Sequence, residues 1–435
     1  MRAKLSSTFQ SLTVRNYRLF AIGQLIKLIG VWVMFIAQDW LVLELSGDSA
    51  TALGVVVALQ FTPVLLLTLL SGRLADRYDK RMLLLVANAT WTVLALAMSL
   101  LVVTGVVQLW HVFVFAGLLG VANAVETPVR QAFVSELVGT TLLPNALALS
   151  SATFNSARVL GPALAGVAIA VFDVGPVFLV SALATVAPLV GLLRMRAAEL
   201  HRADLPPIGE RETAKVVDGL RYVARRPDLL LPMALMSIIG MVLFNFQITL
   251  AALAKTVFNT GAATFGVFTT MLALGSLAGA LAGSTRRERP SVWLVLGAAV
   301  GCAVFGTLVG LAPTYWLVVL LLLPAGFFMI FFAQASNQRV QLGVDAAFRG
   351  RVMALWVLVF LGTNPVGAPL IGWVAETYGA AASIWLGGLI SLAVALLALA
   401  WQLHRTGARL RLRIRPLPAF YVVPAAKSEP AVTPV

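Results

Sequence analysis

Long apolar runs broken by short polar clusters recur along the chain, near residues 18–45, 51–71, 82–104, 109–128, 144–172, 174–193, 229–253, 263–284, 291–312, 315–338, 352–374 and 382–403. A helix rising 1.5 Å per residue needs about 20 mostly apolar residues to cross a hydrocarbon core, so each run predicts one spanning helix. The runs are continuous rather than alternating, which argues against a transmembrane barrel. The longest polar interruption, Arg194 to Asp228, contains Pro206 and Pro207 and falls after the sixth run. The pattern therefore predicts an all-α membrane protein with twelve transmembrane helices in two six-helix bundles, residues 1–193 and 229–404. Residues 194–228 link them, and within this linker Val216 to Tyr222 has the pattern of an amphipathic interfacial helix. Residues 405–435 read as a basic, disordered tail whose Arg405, Arg409, Arg411, Arg413 and Arg415 suit anionic lipid headgroups.

Composition agrees, with 60% of residues hydrophobic and 11% charged, against about 25% charged in soluble domains. A soluble globular enzyme is excluded. The net charge of +14 would point to nucleic acid in a soluble protein. Here 29 of the 32 Lys and Arg residues fall at the ends and loops on one side of the twelve predicted spans. The positive-inside rule makes that side the cytoplasm, with both termini on it, and leaves no reason to invoke nucleic acid. The first apolar run is longer than a signal-peptide core and lacks a small-residue cleavage site, so it reads as a retained helix. With one cysteine, Cys302, and three scattered histidines, neither a disulfide framework nor a metal cluster is expected. There is no G-x-x-x-x-G-K-[ST] phosphate loop and no converging nucleophile and base. The chain reads as a non-enzyme without a cofactor.

Two segments carry more specific information. Between the second and third runs stands Gly72-Arg-Leu-Ala-Asp76-Arg77-Tyr-Asp79-Lys80-Arg81. It resembles the signature loop of the major facilitator superfamily, G-x-L-A-D-R-x-G-R-K, with Asp79 where glycine is usual. A carboxylate at Asp76 suits a helix N-terminus, and Arg77 and Arg81 offer it charged partners. In the fifth run, Gly161-Pro162-Ala-Leu-Ala165-Gly166 resembles the G-P-x-x-G-G motif of antiporters and exporters in that superfamily, with Ala165 replacing one glycine. Small residues permit close helix approach, and Pro162 permits a bend. Asn16-Tyr17-Arg18-Leu19-Phe20, Gln38-Asp39-Trp40-Leu41, Glu126-Thr-Pro-Val-Arg130-Gln-Ala-Phe133 and Arg349-Gly-Arg-Val-Met353 narrow the resemblance to the enterobactin exporters and transmembrane secretion effectors of bacteria. It covers most of residues 12–404. It implies an inner-membrane exporter that alternates between inward-open and outward-open states, driven by protons, with spans one, four, seven and ten lining the cavity. The counterpart loop, Gly283-Ser-Thr-Arg286-Arg287-Glu288-Arg289, is a degenerate copy without the Asp-Arg pair.

Ionisable residues inside spans cost several kcal/mol at the bilayer centre and mark function by default. The candidates are Lys27, Asp39, Glu126 and Arg158. Lys27 and Asp39, twelve residues apart, are roughly 18 Å apart along one helix and cannot pair. Burial favours the neutral form of a carboxylate, which is what a proton carrier at Asp39 needs. The alternative is an interfacial residue bonded to a helix end. Glu126 is a second carrier candidate or half of an i, i+4 ion pair with Arg130. Arg158, permanently cationic, either meets an anionic substrate or a carboxylate, or makes a packing bond to Asn155 or a carbonyl. Lys27 either lines the cavity, reaches toward the cytoplasm or sets a substrate preference. Gln24, Gln38, Gln60, Asn245, Gln247, Gln334, Asn337 and Asn364 are further cavity candidates, and Pro63 and Pro365 are hinge candidates in corresponding spans. The expected function is secondary export of a small amphipathic or siderophore-like molecule by a monomer exchanging it for protons in a lipid membrane. A lipid flippase of the same fold and a non-transporting receptor or scaffold are the alternatives.

Overall fold

The computed structural model describes residues 9–201, 216–286, 288–345, 348–407, 409–413 and 419–423; the side chains of 68–73, 75–77, 216–218 and the two terminal strands lie outside that description. Gly72, Asp76 and Arg77 therefore lie outside the described side chains, and the signature loop is placed only by its backbone.

A short 3-10 turn, Gln10–Thr13, leads into α1, Arg15–Ser46. Gly47, in the left-handed region at φ 66°, ends it. Ser49 starts α2, Ala50–Arg77, by accepting the Ala52 N–H at 3.2 Å. Asp79 starts α3, Lys80–Val103, by accepting the Met82 N–H at 3.0 Å. The Gly-to-Asp departure in the signature loop thus has a local use as a helix cap. The stretch Leu109–Phe172 is helical over 64 residues except at Gly139, whose φ of 67° breaks it into α4 (109–138) and α5 (140–172). The polar segment 129–143, expected to be a loop, is therefore mostly helix, and one glycine makes the turn. Among the described residues eleven helices are long and apolar enough to span, and this division makes twelve. The remaining spans are α6, Val174–Leu193; α7, Pro227–Val257; α8, Ala262–Ser284; α9, Val292–Leu311; α10, Tyr315–Gly343; α11, Arg349–Tyr378; and α12, Ala380–Thr406.

With helices alternating in direction, the starts of odd-numbered spans share one face with both ends of the chain and the linker; we call this the basic face and its opposite the far face. The linker leaves α6 bound to the first half: Asn16 and Arg196 exchange two hydrogen bonds, and His201 N–H donates to the Glu136 carbonyl. It returns as a linker helix, Val216–Ala224, against α11, where a Cβ on Gly219 would sit 3.2 Å from Arg351 and Leu355. Beyond α12, β1, Arg409–Arg413, pairs antiparallel with β2, Ala419–Val423. Where disorder was expected, the alternation Arg-Leu-Arg-Leu-Arg has strand period.

Helices α1 to α6 pack chiefly on one another, as do α7 to α12, and two seams join the halves: α2 against α11 and α5 against α8. The α2–α11 seam uses missing side chains on both helices. A Cβ on Gly54 would come within 2.5 Å of the Ala368 carbonyl, and one on Gly372 within 2.4 Å of the Ala50 carbonyl. Bulky apolar residues such as Leu66, Val93, Val167, Val171, Leu320 and Leu397 remain exposed on the outside, the inverse of a soluble surface and suited to lipid.

Candidate functional site

The break in α7 organises the centre. The helix stops at Leu243, Phe244 and Asn245 leave helical geometry, and it resumes at Phe246. Asn245 Nδ2 donates to the Met241 carbonyl at 2.8 Å, satisfying an acceptor freed by the break. Irregular backbone at this depth is tolerated where it borders a cavity. A cavity of about 140 Å³ lies here between the halves, lined by Trp32, Arg158, Pro162, Phe244, Gln247 and Thr269 among others. It draws on α1, α5, α7, α8 and α10, so α5 and α8 contribute where the resemblance implied α4. Arg158 is half-buried there, and among the described residues its guanidinium has no hydrogen bond or ion pair. The expected alternative of a bond to Asn155 is not made; Asn155 donates to the Ser151 carbonyl on its own helix at 2.8 Å.

Asp39 is buried, and Gln247 Nε2 donates to its Oδ2 at 2.5 Å. This bond crosses to α1 from the first turn of α7 after its break. It joins the wall of the cavity to the far-face contact between the halves. Nearer that face, Lys255 Nζ meets Asp48 Oδ1 at 2.7 Å and lies 5.2 Å from the centre of the Trp40 ring. Glu376 Oε2 accepts from Ser49 Oγ at 2.7 Å and from the Thr51 N–H at 3.0 Å. Every polar contact between the halves among the described residues belongs to this set, and none lies at the basic face. The far side is closed. Gly161, Pro162 and Gly166 sit in the same arrangement. A Cβ on Gly161 would fall 2.3 Å from the Trp32 Cβ, and Gly166 lies against Gly266 and Ala263 of α8. The small-residue motif thus permits both the α1–α5 contact and one of the two seams.

Lys27 and Glu126 meet in a separate cluster inside the first half. Lys27 Nζ donates to Asn88 Oδ1 at 2.8 Å, stands 3.3 Å from Glu126 Oε1 and lies 5.4 Å from the Trp91 ring centre. Arg130 Nε lies 3.1 Å from the same carboxylate oxygen, one turn along α4. Lys27 therefore neither reaches the basic face nor lines the described cavity. The i, i+4 pair was expected; Lys27 as its third member was not.

The other candidates are dispersed. Gln60 Nε2 donates to Gln38 Oε1 at 3.3 Å. Both amide atoms of buried Gln24 lack a partner, as does Oε1 of Gln334, which presses on Gly283 of α8. Asn337 and Asn364 are half-buried on α10 and α11. Arg81 donates to the carbonyls of Leu192 and Leu193 at the end of α6, at 2.9 and 3.3 Å; its expected partner Asp76 lies outside the described side chains. Lys255 and Glu376 carry the far-face closure yet sit at span ends, where charge is ordinary in a sequence. Lys80 and Glu136, paired at 2.6 Å, were missed for the same reason.

This arrangement of two bundles around a cavity closed at one face resembles solved transporters. A POT family transporter in complex with a thioalcohol-conjugated peptide superposes with TM-score 0.71 at 12% identity, over 90% of this chain and 97% of the other. An inward-facing, unoccupied bacterial homologue of the human lysosomal transporter Spinster gives 0.65 at 12%, over 89% and 94%. Among sequence relatives, the staphyloferrin A transporter of Staphylococcus aureus is 24% identical over 84% of this chain and 91% of its own length. The enterobactin exporter of Citrobacter koseri is 25% identical over 89% and 92%. The profile of the transmembrane secretion effectors matches residues 6–421, and the chain belongs to that family of major facilitator transporters.

Proposed function

We propose that this transporter exports a small anionic, siderophore-like molecule across the bacterial cytoplasmic membrane in exchange for protons, with its basic face and both termini in the cytoplasm. The observation that carries this reading is Arg158, a cation without a protein partner among the described residues in the cavity between the halves. A guanidinium left uncompensated there is costly, and an anionic ligand relieves the cost. Phe244, Phe246 and Trp32 supply apolar contact beside it. The relatives named for staphyloferrin A and enterobactin support a siderophore-like cargo, and the basic-residue bias supports the orientation. Asp39 supplies the coupling. Closing the far side buries it against Gln247, and an ionised carboxylate resists burial more than a protonated one. The empty carrier therefore returns with a proton taken from outside and releases it to the cytoplasm through the cavity.

The test is transport in proteoliposomes under an imposed pH gradient, with a panel of anionic, neutral and cationic chelators. Arg158→Gln should raise KM for anions. Asp39→Asn should abolish gradient-driven accumulation while sparing solute exchange. Transport of cations alone would overturn the anion assignment, and unchanged gradient-driven export by Asp39→Asn would overturn the coupling role. A second reading, lipid translocation, draws on an apolar groove of about 660 Å³ between α1, α5 and α6 lined by Ile26, Val33, Leu164, Phe172 and Val180. Labelled-lipid flipping that is lost on filling this groove, with no chelator transport, would favour it.

A further inference from the structure

At the basic face of the second half, the linker helix and the start of α11 enclose a pocket of about 520 Å³ lined by Arg221, Tyr222, Arg225, Arg226, Phe348 and Arg351. Four of its six lining residues are arginines, and no carboxylate is among them. Its floor is aromatic: the Tyr222 and Phe348 rings stack 4.3 Å apart at 10°, with Arg351 over Phe348 at 5.5 Å and Arg226 over Tyr222 at 5.7 Å. Arg226 is already committed, with Asp228 accepting from Nε at 2.9 Å and from Nη2 at 3.1 Å. Asp345, the other nearby acid, accepts from the Tyr222 hydroxyl at 2.7 Å. Arg221, Arg225 and Arg351 have no acidic partner among the described residues. Three guanidiniums without an acidic partner among the described residues, around one stacked aromatic floor, exceed what a topological signal needs, since that signal requires charge only on the correct side.

We propose that this pocket binds the phosphate headgroup of an anionic phospholipid. Arginine forks match phosphate oxygens in pairs, and aromatic faces hold the guanidiniums in the plane that such pairing needs. The placement selects a lipid over a soluble phosphate. The pocket lies where α7 and α11 begin, at the basic-face ends of two membrane-spanning helices, and the linker helix beside it leaves Leu220 54% exposed, an apolar side chain suited to the acyl boundary. Because the linker helix packs on α11, and α11 forms one of the two seams between the halves, a bound headgroup ties the linker to a helix that moves in the transport cycle. The site is separate from the central cavity and does not depend on what that cavity carries.

The test uses the full-length protein in detergent, titrated by native mass spectrometry with dioleoyl phosphatidylglycerol, dioleoyl phosphatidylcholine and inorganic phosphate. The wild type should bind phosphatidylglycerol at least several-fold more tightly than phosphatidylcholine. Because each basic residue near an anionic surface contributes measurably, the Arg221→Gln/Arg225→Gln/Arg351→Gln variant should lose about tenfold or more of that affinity. A tail variant, Arg409→Gln/Arg411→Gln/Arg413→Gln, should retain it. Arg225→Gln alone, at an exposed position, should show a smaller loss in the same direction and stands in if the triple variant does not fold. Equal affinity of the pocket variants and wild type would overturn the proposal, as would a loss confined to the tail variant. Displacement of phosphatidylglycerol by inorganic phosphate at equal concentration would reassign the pocket to soluble phosphate and overturn the lipid assignment.

Discussion

Replacing Glu126 with Gln should destabilise this protein far more than replacing Lys27 with Met, although the two side chains face each other at 3.3 Å. The asymmetry follows from Arg130. Glu126 is contacted by two cations, Lys27 and Arg130 at 3.1 Å, and without it both lose their counter-ion. Lys27 is only 3% exposed. Removing one partner of a buried ion pair costs about 3–5 kcal/mol. Lys27→Met leaves Glu126 paired with Arg130 and fills nearly the same volume. Its main cost is the Asn88 Oδ1 acceptor left without its donor, about 1–3 kcal/mol. In the double variant Arg130, 20% exposed at its side chain, retains access to water, so it should recover at least about 1–2 kcal/mol relative to Glu126→Gln. Reversible SDS unfolding in mixed micelles, followed by circular dichroism, reads all three variants. If Glu126→Gln unfolds no earlier than Lys27→Met, the shared carboxylate is not what holds the cluster. Gradient-driven transport by the double variant would in addition make the cluster structural and leave Asp39 as the coupling carboxylate.

The two seams and the far-face contacts make further separable predictions. A Cβ on Gly266 would lie 2.7 Å from the Pro162 carbonyl and 2.8 Å from Gly166 Cα, so Gly266→Val should hold α5 and α8 apart and favour far-open carriers; an unchanged spin-label distance between the far ends of these helices would refute this. Gly161→Ala meets Trp32 within one half and should instead cost about 1–3 kcal/mol of stability with that distance unchanged. Lys255→Gln combined with Glu376→Gln removes exposed contacts each contributing roughly 0.5–1 kcal/mol, which shifts the closed-to-open ratio about five- to thirty-fold. Fluorescence energy transfer between labels on the α1–α2 and α7–α8 turns reads that shift, and because the sole thiol, Cys302, is buried, it competes little for label.

The spans were legible because each is a long apolar run, and the count survived because a missed helix would have scattered the basic residues across both faces. What escaped the sequence is what depends on which helix faces meet. The break in α7 has no glycine or proline to announce it, only Asn245, whose amide serves the carbonyl freed there. Lys27 and Glu126 both stood out as buried charges, but 99 positions separate them, and nothing in the periodicity of α1 or α4 says that these positions touch. Asp39 and Gln247 were likewise both legible while their bond across the halves was not.

The buried charges fall into three physical situations, and the situation separates their proposed roles better than residue type does. Lys27, Glu126 and Arg130 neutralise one another inside a single bundle, so motion of the halves need not break them. Asp39 is held by a side chain of the opposite half, so separating the halves at the far face would break that bond. Among the described residues, Arg158 is held by neither half. A cation left without a protein counter-charge in the cavity is the one whose charge a ligand can balance, whereas substituting the cluster around Glu126 tests folding first. Cargo charge should therefore follow position 158: Arg158→Glu should reject anions and admit cations, while Lys27→Met should leave charge preference unchanged. A reversed outcome would place the cargo at Lys27 and exchange the proposed roles.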